Sequence, residues 1–184
     1  MRVHGAWADG SSWSKIIPLL QAKGLHVVAV QNPLSSIAVD VASTSRLINA
    51  QDGPVLLVGH SYGGAVITEA GNNPKVAGLV YVAAFAPDER ELVLAAQGAT
   101  QNAILSTPTK KAAWHTKLSW FVIASHDQVI WPEQEISTAK RMGAKTLTLS
   151  SSHLPMLSHP KEVAELVREA ASSVGTNAVA TAAR

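Results

Sequence analysis

The sequence predicts an α/β domain built on a mostly parallel sheet flanked by helices on both faces. Three observations carry this expectation: short apolar β-branched runs recur along the chain, amphipathic stretches separate them, and one segment reads as strand, sharp turn and helix. Hydrophobic residues make up 47% of the 184 and charged residues 15%, which suits one packed core and excludes a disordered or fibrous chain. No internal repeat or linker divides the chain, so residues 1–184 read as a single domain.

In chain order, Met1, Arg2 and Val3 lead into His4-Gly5-Ala6-Trp7, a strand residue followed by a loop that reaches Trp13. Trp13, Ile16, Ile17 and Leu20 fall at helical spacing, and Gly24 suits the position just past the end of a helix. Pro18 implies either a kink or a regular helix that starts late. The runs His26–Val30, Val55–Val58, Val76–Ala83, Leu118–Ala124 and Lys145–Leu149 each have the length of a buried strand. Pro160 fits the first position of the last helix, whose stripe is Val163, Leu166, Val167 and Ala170. Residues 174–184 are small and weakly patterned, and are expected to fray.

The chemistry concentrates at Gly59-His60-Ser61-Tyr62-Gly63, between the run Val55–Val58 and an Ala/Val/Ile helix. A serine at the tip of a strained turn exposes its Oγ, and the crowded backbone leaves little room for side chains two residues to either side. Ser61 is therefore the expected nucleophile. His60, adjacent on the same turn, is expected to be structural.

Acyl transfer also requires N–H donors for the developing oxyanion. The amide of Tyr62, at the start of the helix, is one candidate. Ala6, in the loop after Val3, is the other, against the plainer reading that His4-Gly5 makes a tight turn. Seven histidines compete for the role of base. His153 follows the run Lys145–Leu149 and precedes the last helix, whereas His159 abuts Pro160, where a capping or exposed role is expected. Asp127, just past the strand ending at Ala124, is placed to accept from the histidine Nδ1 and fix its tautomer. Asp88, in the polar turn Ala86-Pro87-Asp88-Glu89-Arg90, is held in reserve.

Other classes are disfavoured. The net charge is +2 with a pI near 9.0, and the basic residues are scattered, so no nucleic-acid surface is expected. Cysteine is absent, which excludes disulfides and thiolate chemistry. Neither a zinc-spaced histidine pair nor a glycine-rich dinucleotide turn occurs, so no metal or cofactor is expected. No run approaches the roughly 20 apolar residues of a membrane helix, and the N-terminus has no signal-peptide core, so no membrane association and a cytoplasmic location are expected by default.

Taken together, VHGAWADGSSW, GPVLLVGHSYGGAVITEAG, LVYVAAFAPDE, SWFVIASHDQVIWP and SSHLPMLSHP make the chain resemble the α/β-hydrolase superfamily. The resemblance is to small bacterial carboxylesterase-like members and the related plant methyl-ester esterases and hydroxynitrile lyases, and it covers most of the chain from Val3 to Ala171. It implies an α/β-hydrolase fold and a serine carboxylesterase with Ser61, His153 and Asp127 as triad, Ala6 and Tyr62 as oxyanion donors, and a small-molecule ester as substrate. Two departures stand out. Members usually begin with a fuller strand, and they usually carry a cap of several helices where only residues 86–117 stand here, so the cap is read as strongly reduced or missing. An uncapped site would be open to bulky groups, and its apolar rim could favour a homodimer. Two further readings remain open at this point. One is a lyase on the same triad, with Lys110, Lys111 or Lys117 assisting; the other is a binding protein or truncated fragment without activity.

Overall fold

The computed structural model describes residues 1–91 and 107–182, with side chains as far as Gly175. Its strands form one six-stranded sheet in the order β2-β1-β3-β4-β5-β6, every neighbouring pair parallel. These are β1 (Arg2–Val3), β2 (Ala29–Val30), β3 (Val55–Ser61), β4 (Val76–Ala84), β5 (Leu118–Ala124) and β6 (Lys145–Leu149). The helices are α1 (Ile17–Gln21), α2 (Ile37–Asn49), α3 (Tyr62–Ala70), α4 (Pro132–Arg141), α5 (Pro155–Ser158) and α6 (Pro160–Ala182).

Both faces of the sheet are apolar, and strand period two divides them. On β4 and β5, Leu79, Tyr81, Phe121 and Ile123 pack with Val66 and Ile67 of α3, Ile48 of α2 and Ala139 of α4. The alternate residues Val80, Val82, Trp120 and Val122 pack on the other face with Trp13, Leu20 of α1, Met156 of α5 and Val163 and Val167 of α6. A continuous β-branched run is what a strand buried on both sides demands, which is why β4 and β5 are legible as runs rather than as alternations.

Two elements differ from the sequence expectation, and at Pro18 the structure takes one of the two alternatives left open, a regular helix that starts late. The run at His26–Val30 is a strand only over Ala29–Val30, because β2 is an edge strand whose one neighbour, β1, offers two residues to pair with. The stretch from Trp13 to Leu20 divides into a 3-10 turn, Gly10–Trp13, and α1, which begins at Ile17 because Pro18 has no N–H for a bond further into a helix. Trp13, Ile16 and Leu20 still share the core, and Gly24 takes the left-handed φ of 77° expected past a helix end. Helix α6 continues to Ala182 through most of the 174–184 stretch expected to fray, in keeping with the high helix propensity of alanine.

The sheet order reverses direction at β1 and β3. In an open parallel sheet the loops leaving the carboxyl ends of two such strands diverge, and the space between them is the usual position for a site. The approach there is close: a Cβ on Gly63 would lie 2.5 Å from the Val3 carbonyl oxygen and 2.7 Å from that of His4. Both atoms are backbone and cannot rotate away. Gly63→Ala is therefore expected to lower unfolding free energy by about 2–3 kcal/mol, the upper range for forced overpacking, as read by urea denaturation.

A cavity of about 550 Å³ lies at the opposite, amino end of the strands, between Met1, Arg2, His26, Pro54 and Val167. It contains none of the expected site residues. Among the described residues no helix is long and apolar enough to cross a membrane.

Candidate active site

Ser61 ends β3 and immediately precedes α3, with φ 51° and ψ −124°. A non-glycine residue tolerates this left-handed φ only when its surroundings impose it, and here they do. A Cβ on Gly59 would lie 2.5 Å from the Gly63 carbonyl oxygen, and one on Gly5 would lie 3.0 Å from the Ser61 Cβ. Small residues on both flanks and in the β1 loop thus let strand, helix and loop converge on the serine.

Three elements far apart in sequence bring their polar side chains to this point. The Ser61 Oγ lies 2.9 Å from His153 Nε2, and His153 Nδ1 lies 2.6 Å from Asp127 Oδ2. The other oxygen of Asp127 accepts from the amides of Val129 and Ile130, at 2.7 and 3.0 Å. Burial alone would raise the Asp127 pKa, but the His153 ring and the two amides together hold it below the usual carboxylate range. An ionised Asp127 fixes the proton on Nδ1 and leaves Nε2 free to accept the Ser61 hydroxyl proton.

Asp88, the reserve acid, is engaged elsewhere, bonding His115 Nε2 at 2.8 Å. His159 pairs with the neighbouring Ser158 hydroxyl at 2.9 Å, and its carbonyl accepts the Val163 amide in the first turn of α6. Ala6 lies in the loop whose Gly5 packs on Ser61, and Tyr62 is the first residue of α3, where a helix leaves its amides unpaired. The lysines weighed for lyase chemistry stand away from Ser61. The Lys110 amide donates to Glu69 and the Lys111 carbonyl accepts from Asn72, which places their main chain near the carboxyl end of α3, and Lys117 precedes β5 at the end opposite Asp127.

Supporting contacts appear that sequence reasoning did not assign. His60 Nε2 donates to the His153 carbonyl oxygen at 2.8 Å, so the residue beside the serine braces the loop that carries the base. Burial, with a smaller contribution from His153, pushes the His60 pKa down to about 3, and the ring stays neutral. His4 accepts the Asn32 amide on Nε2 and bonds the Gly5 carbonyl through Nδ1, which ties the β1 loop to the β2 end. The Tyr62 hydroxyl donates to Asp40 Oδ2 at 2.8 Å, locking α3 to α2. Only the Gly-His-Ser string hints at the first of these, and nothing local signals the other two.

Several large apolar side chains close to the site residues in the chain are exposed, while residues 92–106, within the 86–117 stretch read as a reduced cap, lie outside those described. Trp7 is 65% exposed and Trp131 68%, and Val129 and Leu154 are also exposed, each within a few residues of a site residue.

The sequence profile described as the alpha/beta hydrolase family matches residues 3–101. A carbendazim hydrolyzing esterase from a Nocardioides species is 35% identical over 107 residues, 50% of this chain and 44% of that protein. Methylesterase 8 of Arabidopsis thaliana is 30% identical over 105 residues, 48% of this chain and 38% of that protein. The chain spans less than half the length of these curated relatives. Among solved structures, a pyrethroid hydrolase, PytH, superposes with a TM-score of 0.82 at 18% identity, covering 93% of this chain and 96% of that one. Polyneuridine aldehyde esterase superposes with a TM-score of 0.74 at 19% identity, covering 92% and 98%. The parallel sheet, the serine on its strained turn after β3 and a family match over more than half its length agree: the chain belongs to the alpha/beta hydrolase family.

Proposed function

We propose that the chain is a serine hydrolase that cleaves carboxylic esters through an acyl-enzyme. The observation that carries this reading is the unbroken line of hydrogen bonds from Ser61 Oγ through His153 to Asp127. The esterase names of the curated relatives support ester as the bond cleaved.

His153 Nε2 takes the Ser61 hydroxyl proton as Oγ bonds to the carbonyl carbon. The oxyanion that forms accepts from the amides of Ala6 and Tyr62, while Asp127 stabilises the imidazolium. The intermediate collapses when the carbon–alkoxy bond breaks and Nε2 returns the proton to the departing alcohol. Water then gives its proton to Nε2, attacks the acyl carbon and releases the acid with Ser61 restored. A fluorophosphonate probe tests the reading directly, because it should label the peptide containing Ser61. Absence of label on that peptide in folded protein would sink it.

Substrate breadth follows if the exposed aromatic side chains of Trp7 and Trp131 stand beside the acyl group. A closed pocket discriminates acyl chains because each buried methylene contributes about 0.8 kcal/mol and an overlong chain clashes with the far wall. With Trp7 and Trp131 each more than 60% exposed, added methylenes gain little and clash with little. Across p-nitrophenyl acetate to decanoate, kcat/KM is expected to change shallowly, by less than about fivefold per two carbons. A sharp optimum with a more than tenfold fall one or two carbons away would show a closed acyl pocket instead.

A further inference from the structure

Behind Asp127 stands a carboxyl group that the mechanism above does not use. Glu135, in the first turn of α4, is 0% exposed. Its Oε2 accepts the amide of Ala124 at 2.9 Å, at the end of β5 from which the acid loop departs. Its Oε1 is buried with no donor, and the Asp127 carboxylate lies within hydrogen-bonding reach of this side chain.

Hydrogen-bond accounting points to what sits between the two groups. An ionised carboxylate offers about four acceptor directions. The Asp127 side chain is fully buried and receives three donors, the amides of Val129 and Ile130 and His153 Nδ1. One direction remains, beside a second carboxyl whose own free oxygen lacks a donor. Two buried carboxylates cannot both be ionised at such a distance, so one proton is shared between them. Asp127, with three donors, is the better anion, and the proton belongs on Glu135.

We propose that Glu135 is a positioning residue for the active site, a neutral carboxylic acid whose Oε1–H donates to Asp127 and holds that carboxylate against the His153 ring. The proposal rests on the hydrolase reading for its consequence, though not for the bond itself. The bond completes the coordination of Asp127, keeps it a weak base beside the imidazolium, and ties its angle to the rigid end of β5. Burial, opposed by the Ala124 amide and reinforced by Asp127, pushes the Glu135 pKa up to about 9.

The groups around Glu135 make its titration readable. Strand β5 presents no charge, and the acid loop presents Asp127 and the exposed His126. His153 lies beyond Asp127, while Glu133, Lys140 and Arg141 of α4 itself are exposed.

Glutamine separates the alternatives because it mimics the neutral acid, with one oxygen for Ala124 and an N–H for Asp127. The experiment follows the downfield proton resonance of His153 Nδ1 by NMR from pH 7 to about 10.5 in wild type, Glu135→Gln and Glu135→Met. In wild type the resonance is expected to move with a midpoint near 9, where Glu135 loses its proton and the bond to Asp127. In E135Q it should stay in place throughout, and in E135M it should be displaced at every pH.

Ester turnover should follow the same pattern. The wild-type kcat falls at least fivefold above the midpoint with KM little changed, E135Q keeps its rate there, and E135M is slow throughout. The same pH response in wild type and E135Q, or none in either, would overturn the proposal, and E135Q alone suffices if E135M does not fold. A chain that shows the NMR pattern but hydrolyses no ester would remove the hydrolase reading and leave the Glu135–Asp127 bond standing.

Discussion

Ser61→Ala is expected to lower hydrolysis of p-nitrophenyl acetate or butyrate by about 10⁴-fold or more while the protein stays folded. On the proposed mechanism the loss is large because the hydroxyl is the reacting atom, and neither His153 nor water in its place would form the acyl-enzyme. What would survive on that mechanism is the share of catalysis that the proposed Ala6 and Tyr62 donors and substrate binding supply without a nucleophile. Stability should change little, since alanine keeps the Cβ that Gly5 already accommodates and, among the described residues, the hydroxyl's bond is to His153. Circular dichroism and steady-state rates on one preparation check both halves, and a mutant retaining comparable activity would exclude Ser61 as nucleophile.

Asp127→Asn should be nearly as severe, lowering kcat by roughly 10³–10⁴-fold, for a reason that lies in proton placement rather than in packing. The amides of Val129 and Ile130 require an oxygen at the Oδ1 position, so the new NH₂ must turn toward His153. Nδ1 then has to accept rather than donate, the imidazole proton moves to Nε2, and the atom facing Ser61 can no longer take a proton. Asp88→Asn disturbs the half-exposed contacts of this carboxylate with His115 and the Glu89 amide and should change the rate less than about threefold, since exposed pairs are weak. If the change at 88 abolishes turnover and the change at 127 is nearly silent, the acid has been misassigned.

How much of this was legible along the chain depended on whether the cause was local. The strained turn at Ser61 announces itself because neighbouring backbone atoms must pass within contact distance, and only Gly59 and Gly63 allow it. Strands β4 and β5 are legible for a similar reason, as burial on both faces demands an unbroken apolar run. Helix α4 shows the limit. Hydrophobicity alone would turn Ile136 inward, yet Ile136 is 52% exposed and the charged-looking Glu135 is fully buried. The partners that reverse this order, the Ala124 amide and the Asp127 carboxylate, come from β5 and its loop.

By itself, then, the sequence determined the α/β class, the serine at the turn after β3 and the short list of acids and histidines able to serve it, because strand burial and turn sterics act between near neighbours. The tertiary structure decided which members of that list meet. It placed Asp127 on His153 and Asp88 on His115, set His60 under the His153 loop and put Glu135 behind Asp127. Hydrogen bonds and charge act over a few ångströms of space, and residues separated by tens of positions in the chain come within that range only when the sheet has assembled them.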